Sequence, residues 1–312
     1  MKKLYVVIPC YNEELVLVET NLRLKELMST MMLNKVISQD SKIVFVDDGS
    51  KDETWSLIES FILESDFVKG IKLSRNKGHQ NALLAGLFES SLEADIVISL
   101  DADLQDDINI IPEMIVEYEK GFEIVYAIRN NRDSDSVFKR TSAAFFYRLM
   151  KFLGVDLILN HADYRLLSSR VIHELEKYPE RNLFLRGLIP ILGFSSSKVY
   201  YRRNIRYAGE TKYPLRKMIS FALEGITSFS NKPLKFISMI GMFLFTVSIG
   251  IIIYTLYRYF TNQTVTGWAF LNISIWLLSG IQLLALGIVG EYISKIYFET
   301  KSRPRYHIEE RK

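Results

Sequence analysis

The sequence predicts an α/β fold with a mainly parallel central sheet, followed by interfacial helices and two transmembrane helices. Three observations predict it. The N-terminal part alternates short, unbroken apolar runs with helical patterns. Residues 198–235 are strongly basic. Two long stretches near the C-terminus carry no charge at all.

The runs LYVVIP, KIVFVDDG, GIKLSRN, DIVISLDAD and EIVYAIRN read as buried strands. None alternates apolar with polar, as expected when helices cover both sheet faces. Helical patterns at 12–35, 52–64, 78–92 and 107–120 lie between them. Repeated strand–helix–strand order implies parallel strands joined by right-handed crossovers.

The spans come next. Residues 236–257 and 268–289 are each 22 residues without a charged side chain, and a helix needs ~20 apolar residues to cross the hydrocarbon core. The link RYFTNQTVTG holds one cation, Arg258, whereas Lys232, Lys235, Lys295, Lys301, Arg303 and Arg305 flank the pair outside it. The positive-inside rule then places both ends in the cytoplasm and the link outside. Gly241 and Ser248, and Gly280 and Gly287, stand seven apart on one helical face, a spacing that permits close helix approach. The expected division is a catalytic domain at 1–210, an interfacial segment at 211–233, spans at 234–258 and 268–290 around a loop at 259–267, and a cytoplasmic tail at 291–312.

Composition narrows the class. The chain has 312 residues, 48% of them hydrophobic, and a net charge of +3. Residues 198–235 carry nine Lys or Arg against Glu210 and Glu224, which points to an anionic partner. Adjacency to the first span makes a lipid phosphate a simpler partner than nucleic acid. Residues 138–153 and 211–230 mix apolar and basic positions, as interfacial segments do. One cysteine, Cys10, excludes an intrachain disulfide. The run after Met1 ends in Pro, Asn and two Glu, a first core strand rather than a signal peptide.

Polar residues gather at the C-terminal ends of the five strands: Tyr11 and Glu13, Asp47 and Asp48, Arg75 and Asn76, Asp101 and Asp103, and Arg129. Ligands of parallel sheets bind beyond those ends. Neither a G-x-G-x-x-G nor a Walker P-loop occurs, which disfavours dinucleotides and P-loop chemistry. Asp101, Asp103 and Gln105 are closely spaced hard oxygen ligands, suited to Mg²⁺ or Mn²⁺ shared with substrate phosphates. Taken alone, the triplet is also what an acidic turn after a strand looks like.

VIPCYNEE (7–14), VDDGSKDET (46–54), RNKGHQNALLAGL (75–87) and DADLQD (101–106), in this order, resemble family 2 glycosyltransferases with the GT-A nucleotide-sugar-binding fold. The segment 202–230 followed by two spans is similar to polyprenyl-phosphate glycosyltransferases, the relatives of bactoprenol glucosyltransferases and dolichyl-phosphate mannose synthase. The resemblance implies roles. Pro9, Tyr11, Glu13 and Asp48 line the nucleotide pocket, and Asp101 and Ala102 touch the nucleotide. Asp103 and Gln105 ligate the metal, with Asp101 close by. Arg129 and Arg140 meet an anionic phosphate, and Arg206 and Lys212 clamp the donor diphosphate or the acceptor phosphate. HADYRLLSSR (161–170) resembles the stretch that carries an acidic residue near the acceptor, here Asp163, followed by Arg165; Ala162 stands where many relatives have Gly. His79 and His161 read as surface or loop histidines. No tryptophan follows Arg, so the Q-x-x-R-W of processive synthases is missing and a single transfer is expected.

The implied activity is transfer of one sugar from a nucleoside-diphosphate sugar, UDP-glucose or UDP-N-acetylglucosamine, to undecaprenyl phosphate. It is inverting, uses Mg²⁺ or Mn²⁺, and takes place at the cytoplasmic face. Two spans per chain are compatible with a homo-oligomer. The competing expectation is a catalytically silent membrane scaffold or lipid-handling partner on the same fold; the intact acidic triplet speaks against it.

Overall fold

The computed structural model describes residues 1–130, 161–181, 184–202, 232–261 and 267–312. Strands β1 (Leu4–Cys10), β2 (Lys42–Asp47), β3 (Val68–Leu73), β4 (Ile96–Ser99) and β5 (Ile124–Arg129) fall on the five apolar runs. Helices α1 (Glu14–Leu33), α2 (Thr54–Glu64), α3 (His79–Ser91) and α4 (Ile111–Glu119) fill the gaps between them. A 3₁₀ turn, Ile108–Ile110, precedes α4, and Pro112 sits in the first turn of that helix, where its missing N–H costs nothing.

Three further strands complete the sheet: β6 (His161–Ser168), β7 (Ser196–Tyr201) and β8 (Ile308–Arg311). The order is β7-β5-β6-β4-β1-β2-β3-β8. Strands β1 to β4 pair in parallel, as do β5 and β7. Strand β6 runs antiparallel between β4 and β5, and β8 lies antiparallel on the outer edge of β3.

The core lies on both faces of this sheet, which explains the unbroken apolar strands. Leu4, Val6 and Ile8 of β1 join Leu17, Leu24 and Met28 of α1 and Ile58 of α2 on one side. Tyr5 and Val7 join Leu83, Leu84 and Leu87 of α3 on the other. This second side also receives α5 (Ser169–Glu176), through Val171 and Ile172, and α6 (Leu185–Ile191), through Leu185 and Leu188. Helix α3 presses so closely on the sheet that a Cβ at Gly86 would stand 2.3 Å from Val7 Cγ1.

The stretch around Asp163 is strand β6. Charged Asp163 and Arg165 interrupt its apolar pattern, yet Arg165 is 1% exposed and paired with Asp163 within the sheet. Pairing satisfies the charge and lets the strand be central. Strand β8, IEER, is charged at three of its four positions, which suits an edge. The tail expected after the second span therefore contributes a strand.

Helices α7 (Lys232–Phe260) and α8 (Trp268–Thr300) contain the two uncharged stretches and extend beyond them. Their windows Lys232–Ile251 and Leu277–Thr300 have mean hydropathies of 1.9 and 1.5, and both helices are long and apolar enough to cross a membrane. A Cβ at Gly241, Gly280 or Gly287 would meet nothing within 4 Å among the described residues, which show no close helix approach at these glycines.

The turn after β2 is tightly determined. Gly49 has φ +67, and a Cβ there would stand 2.6 Å from the Arg75 carbonyl carbon and 2.7 Å from Asn76 N. Two strand-end loops meet backbone to backbone at this point. Gly49→Ala is expected to lower the unfolding free energy by at least about 2 kcal/mol, since left-handed strain and a backbone clash add. Denaturant titration of the purified variant measures it; a loss under half of that figure would show that the loops can separate freely.

Candidate active site

The site forms at the C-terminal ends of the parallel strands, and the loops there are laced together. Asn12 N donates to Ser50 Oγ (3.0 Å), Lys51 N to Asn12 Oδ1 (2.9 Å) and Glu13 N to Thr54 Oγ1 (2.9 Å). Pro9 lies in β1 opposite Val46, Tyr11 is exposed on the loop beyond, and Glu13 opens α1. Asp48 turns both carboxylate oxygens to backbone: Lys77 N donates to Oδ1 (2.7 Å) and Gly78 N to Oδ2 (2.9 Å). It braces the turn that launches α3. Burial raises its pKa, and those two hydrogen bonds work against the rise.

Beyond β4, the backbone of Ala102 is anchored by Thr20 Oγ1, which donates to its carbonyl (2.8 Å). Asp103 Oδ1 accepts from Gln105 N (3.2 Å), and Leu104 takes φ 55, so the chain turns sharply between the two expected metal ligands. Asp106 is buried. Its Oδ1 accepts from Tyr201 Oη (2.5 Å) and Arg129 Nη2 (2.9 Å), and Arg129 Nε donates to Tyr201 Oη (3.0 Å). Arg129 is thus tied to the acidic loop and to the end of β7.

The antiparallel register of β6 assembles the rest. Ser99 pairs with Arg165. Each step up β4 is a step back along β6, so two positions further on Asp101 stands beside Asp163. Asp163 is surrounded by cations. Its Oδ1 accepts from Arg165 Nη2, its Oδ2 lies 3.1 Å from Arg186 Nη2, and His79 Nε2 is 3.6 Å away. The same His79 nitrogen is 3.6 Å from Asp101 Oδ1.

Electrostatics divides the two acids. Burial would raise the Asp163 pKa, but Arg186, His79 and Arg165 hold it well below the carboxylate range. Burial pushes Asp101 up to about 6; His79 opposes the rise, while Asp163, Asp106 and Asp103 add to it. Burial would lower His79, yet the carboxylates of Asp163 and Asp101 beside it leave it raised. One carboxylate is neutralised by protein and its neighbour is not.

His79 is exposed, as expected, and it stands at the rim of the cleft, with its Nε2 facing both Asp101 and Asp163. As first residue of α3, behind Gly78 at φ 87, it is aimed across the strand ends. His161 begins β6 opposite Ile128 rather than lying in a loop. The sequence did not single out Arg186. Its signal was a lone cation in the apolar run LFLRGLIPILGF. Arg140, Arg206 and Lys212 lie outside the described residues, as do 138–153 and 211–230.

Residues 5–176 match the family model of glycosyl transferase family 2. The chain is a family 2 glycosyltransferase. Its sheet is that of the GT-A fold, and residues 232–296 match a second model, the GtrB C-terminal hairpin. This glycosyltransferase is 52% identical to the glycosyltransferase YkoT of Bacillus subtilis, over 98% of this chain and 91% of that one. It is 38% identical to the bactoprenol glucosyl transferase of Shigella phage SfX, over 99% of this chain and 100% of the other. A prophage bactoprenol glucosyl transferase homolog of Escherichia coli K12 is 37% identical, over 98% of both chains. Among solved structures, glucosyl-3-phosphoglycerate synthase of Mycobacterium tuberculosis, with Mn²⁺, UDP and phosphoglyceric acid, aligns at TM-score 0.46 and 15% identity over 72% of this chain and 76% of that one.

Asp163→Asn leaves Arg165 buried beside a neutral amide and is expected to cost about 3 kcal/mol of stability near neutrality. A carboxyl whose folded pKa is depressed stabilises the protein above its ordinary range, and that stabilisation is lost as pH falls through the folded value. The gap between wild type and variant should therefore shrink below about pH 4. Melting curves from pH 3 to 7 measure it; a gap independent of pH would remove the charge from the explanation.

Proposed function

We propose that this glycosyltransferase moves one sugar from a UDP-sugar, UDP-glucose or UDP-N-acetylglucosamine, to undecaprenyl phosphate at the cytoplasmic membrane surface. One observation carries the reading: bactoprenol glucosyl transferase relatives align over essentially the whole chain, catalytic domain and hairpin together. Strand β8 pairs with β3, so the end of α8 and the catalytic domain lie on the same side of a bilayer crossed by the hairpin. This supports the topology read from the flanking cations.

The chemistry is a single displacement. An oxygen of the acceptor phosphate attacks the anomeric carbon, the bond from that carbon to the donor β-phosphate breaks, and the nucleoside diphosphate leaves with inversion. The second pKa of a phosphate monoester is about 6, so the acceptor needs little deprotonation. Asp163, held ionised by Arg186, His79 and Arg165, is ill suited to take a proton. Its role is to orient Arg186 and His79 on the acceptor side. Arg129, Arg206 and Lys212 are the further candidates for holding phosphate, and Arg140 for the acceptor.

Asp101, Asp103 and Gln105 fit a divalent cation. The surplus negative charge that raises Asp101 is what a cation would offset. Among the described residues no three His, Cys, Asp or Glu side chains form a closed metal cage. A site of two carboxylates and an amide oxygen suits Mg²⁺ or Mn²⁺ completed by donor phosphates. When bound, the ion stabilises charge on the departing diphosphate.

A panel of radiolabelled nucleotide sugars with undecaprenyl phosphate and purified protein, followed by extraction into organic solvent, tests the reading. Label from a UDP-sugar should enter the organic phase; none entering from any donor would sink it and favour a silent scaffold. Asp103→Asn should fold normally and lose divalent-dependent transfer, because an amide is a poorer ligand than a carboxylate. Retained metal dependence in that variant would displace Asp103 from the site. For topology, a cysteine at Thr264 should react with an impermeant thiol reagent in intact cells and one at Lys35 should not. Labelling at Lys35 would reverse the orientation.

A further inference from the structure

The second membrane helix does not stop at the end of its apolar stretch. Helix α8 continues to Thr300, eleven residues past Val289, or about 16 Å beyond it. It then ends abruptly: Ser302 takes φ 45, its N–H donates to Glu299 O (3.0 Å), and Pro304 forbids continuation.

This end is fastened to one short stretch of the catalytic domain. Both oxygens of Glu299 accept from Arg181 N, at 2.8 and 2.9 Å. Arg305 Nε donates to Glu180 O (3.1 Å), and Arg305 Nη2 donates to Tyr178 O. Tyr178 and Tyr306 pack against the same apolar cluster as Leu185 and Leu188 of α6. Arg181 stands five positions before Arg186, and α6 is tied in turn to α3 by Leu185 N, which donates to Gln80 Oε1 (2.9 Å). Gln80 follows His79. The contacts thus run from the end of the membrane helix to the two cations on Asp163.

We propose that Glu299 and Arg305 are positioning residues: they form a rigid joint through which the second membrane helix sets the height of the Asp163–Arg186–His79 side of the cleft above the bilayer. The joint rests on the reading that the acceptor is a membrane-anchored phosphate. Charge-assisted bonds to backbone suit this task, because they fix a loop whatever its side chains do. The donor side, built on β1, β2 and β4, makes no direct contact with Glu299 or Arg305 among these bonds and meets their chain only where Asp48 braces the start of α3. A displacement of about 1 Å at the reacting groups costs up to a hundredfold in rate, so loosening the joint should be felt by an acceptor whose own height the bilayer fixes. An acceptor that diffuses freely into the cleft should not notice.

The test uses full-length protein in nanodiscs of phosphatidylethanolamine and phosphatidylglycerol, as wild type, Arg305→Ala and Glu299→Ala. UDP-glucose is the donor. The acceptors are bilayer-embedded undecaprenyl phosphate and a water-soluble ten-carbon prenyl phosphate. Both variants should lose about tenfold or more in kcat/KM for undecaprenyl phosphate, with donor KM and the soluble acceptor unchanged. Spin labels at Lys35→Cys and Ile293→Cys, in a Cys10→Ser background, should give a broader distance distribution in both variants than in wild type. Parallel losses on both acceptors with a lowered melting temperature would overturn the proposal, since the contacts would then merely hold the fold. Unchanged kinetics with unchanged distances would overturn it as well. If wild type transfers to neither lipid, the acceptor reading fails, and the distance distributions alone decide whether the joint exists.

Discussion

The cleft depends on one buried carboxylate. Asp163 ties together β6, through Arg165, the helix carrying Arg186, and the start of α3 at His79. Taking an ion out of water costs several kcal/mol, which is tolerable only where good geometry and full pairing offset it. Here Arg165 and Arg186 both pair with the one carboxylate, so three segments distant in sequence are held in one relative position around the charge. Beside it, Asp101 keeps a surplus of negative potential from Asp103 and Asp106. A cleft with one neutralised and one unneutralised carboxylate presents different faces to an anionic phosphate and to a cation, as the proposed reaction requires.

The legible parts of the fold were those with a simple physical pattern. Strands β1 to β5 are buried on both faces, so each is a continuous apolar run, and charges at their ends stand out. Asp101, Asp103 and Arg129 were found in this way. Strand β6 escaped because Arg165 and Asp163 break its pattern while cancelling each other's charge, a pairing that only three-dimensional register creates. The same register puts Asp163 beside Asp101, sixty-two residues earlier in the chain. His79 and Arg186 escaped for the opposite reason. One opens a helix after glycine and the other sits in a greasy run, and neither setting marks a functional cation until the partner carboxylate is in place.

The two C-terminal helices were legible from hydropathy alone, but their connection to the domain was not. A charged strand such as IEER looks like a solvated tail. Its backbone, not its side chains, makes the pairing: Gly70 N donates to Lys312 O (2.8 Å) and Lys312 N to Gly70 O (2.9 Å). The ion pairs Arg311–Glu89 and Lys312–Glu59 are solvent-exposed decorations on that ladder, and such pairs typically contribute under about 1 kcal/mol.

That last strand also orders events during synthesis. Ile71 pairs with Arg311, so β3 emerges from the ribosome some 240 residues before its neighbour exists. At roughly 5–20 residues per second, the sheet keeps an open edge for tens of seconds, while the apolar hairpin is made. An open edge invites pairing with other chains. Lys69 and Lys72 on β3 place charge along it and discourage such partners until the native one arrives. Closure of the sheet thus waits for both long apolar helices to be synthesised and reports, in effect, that they are already there.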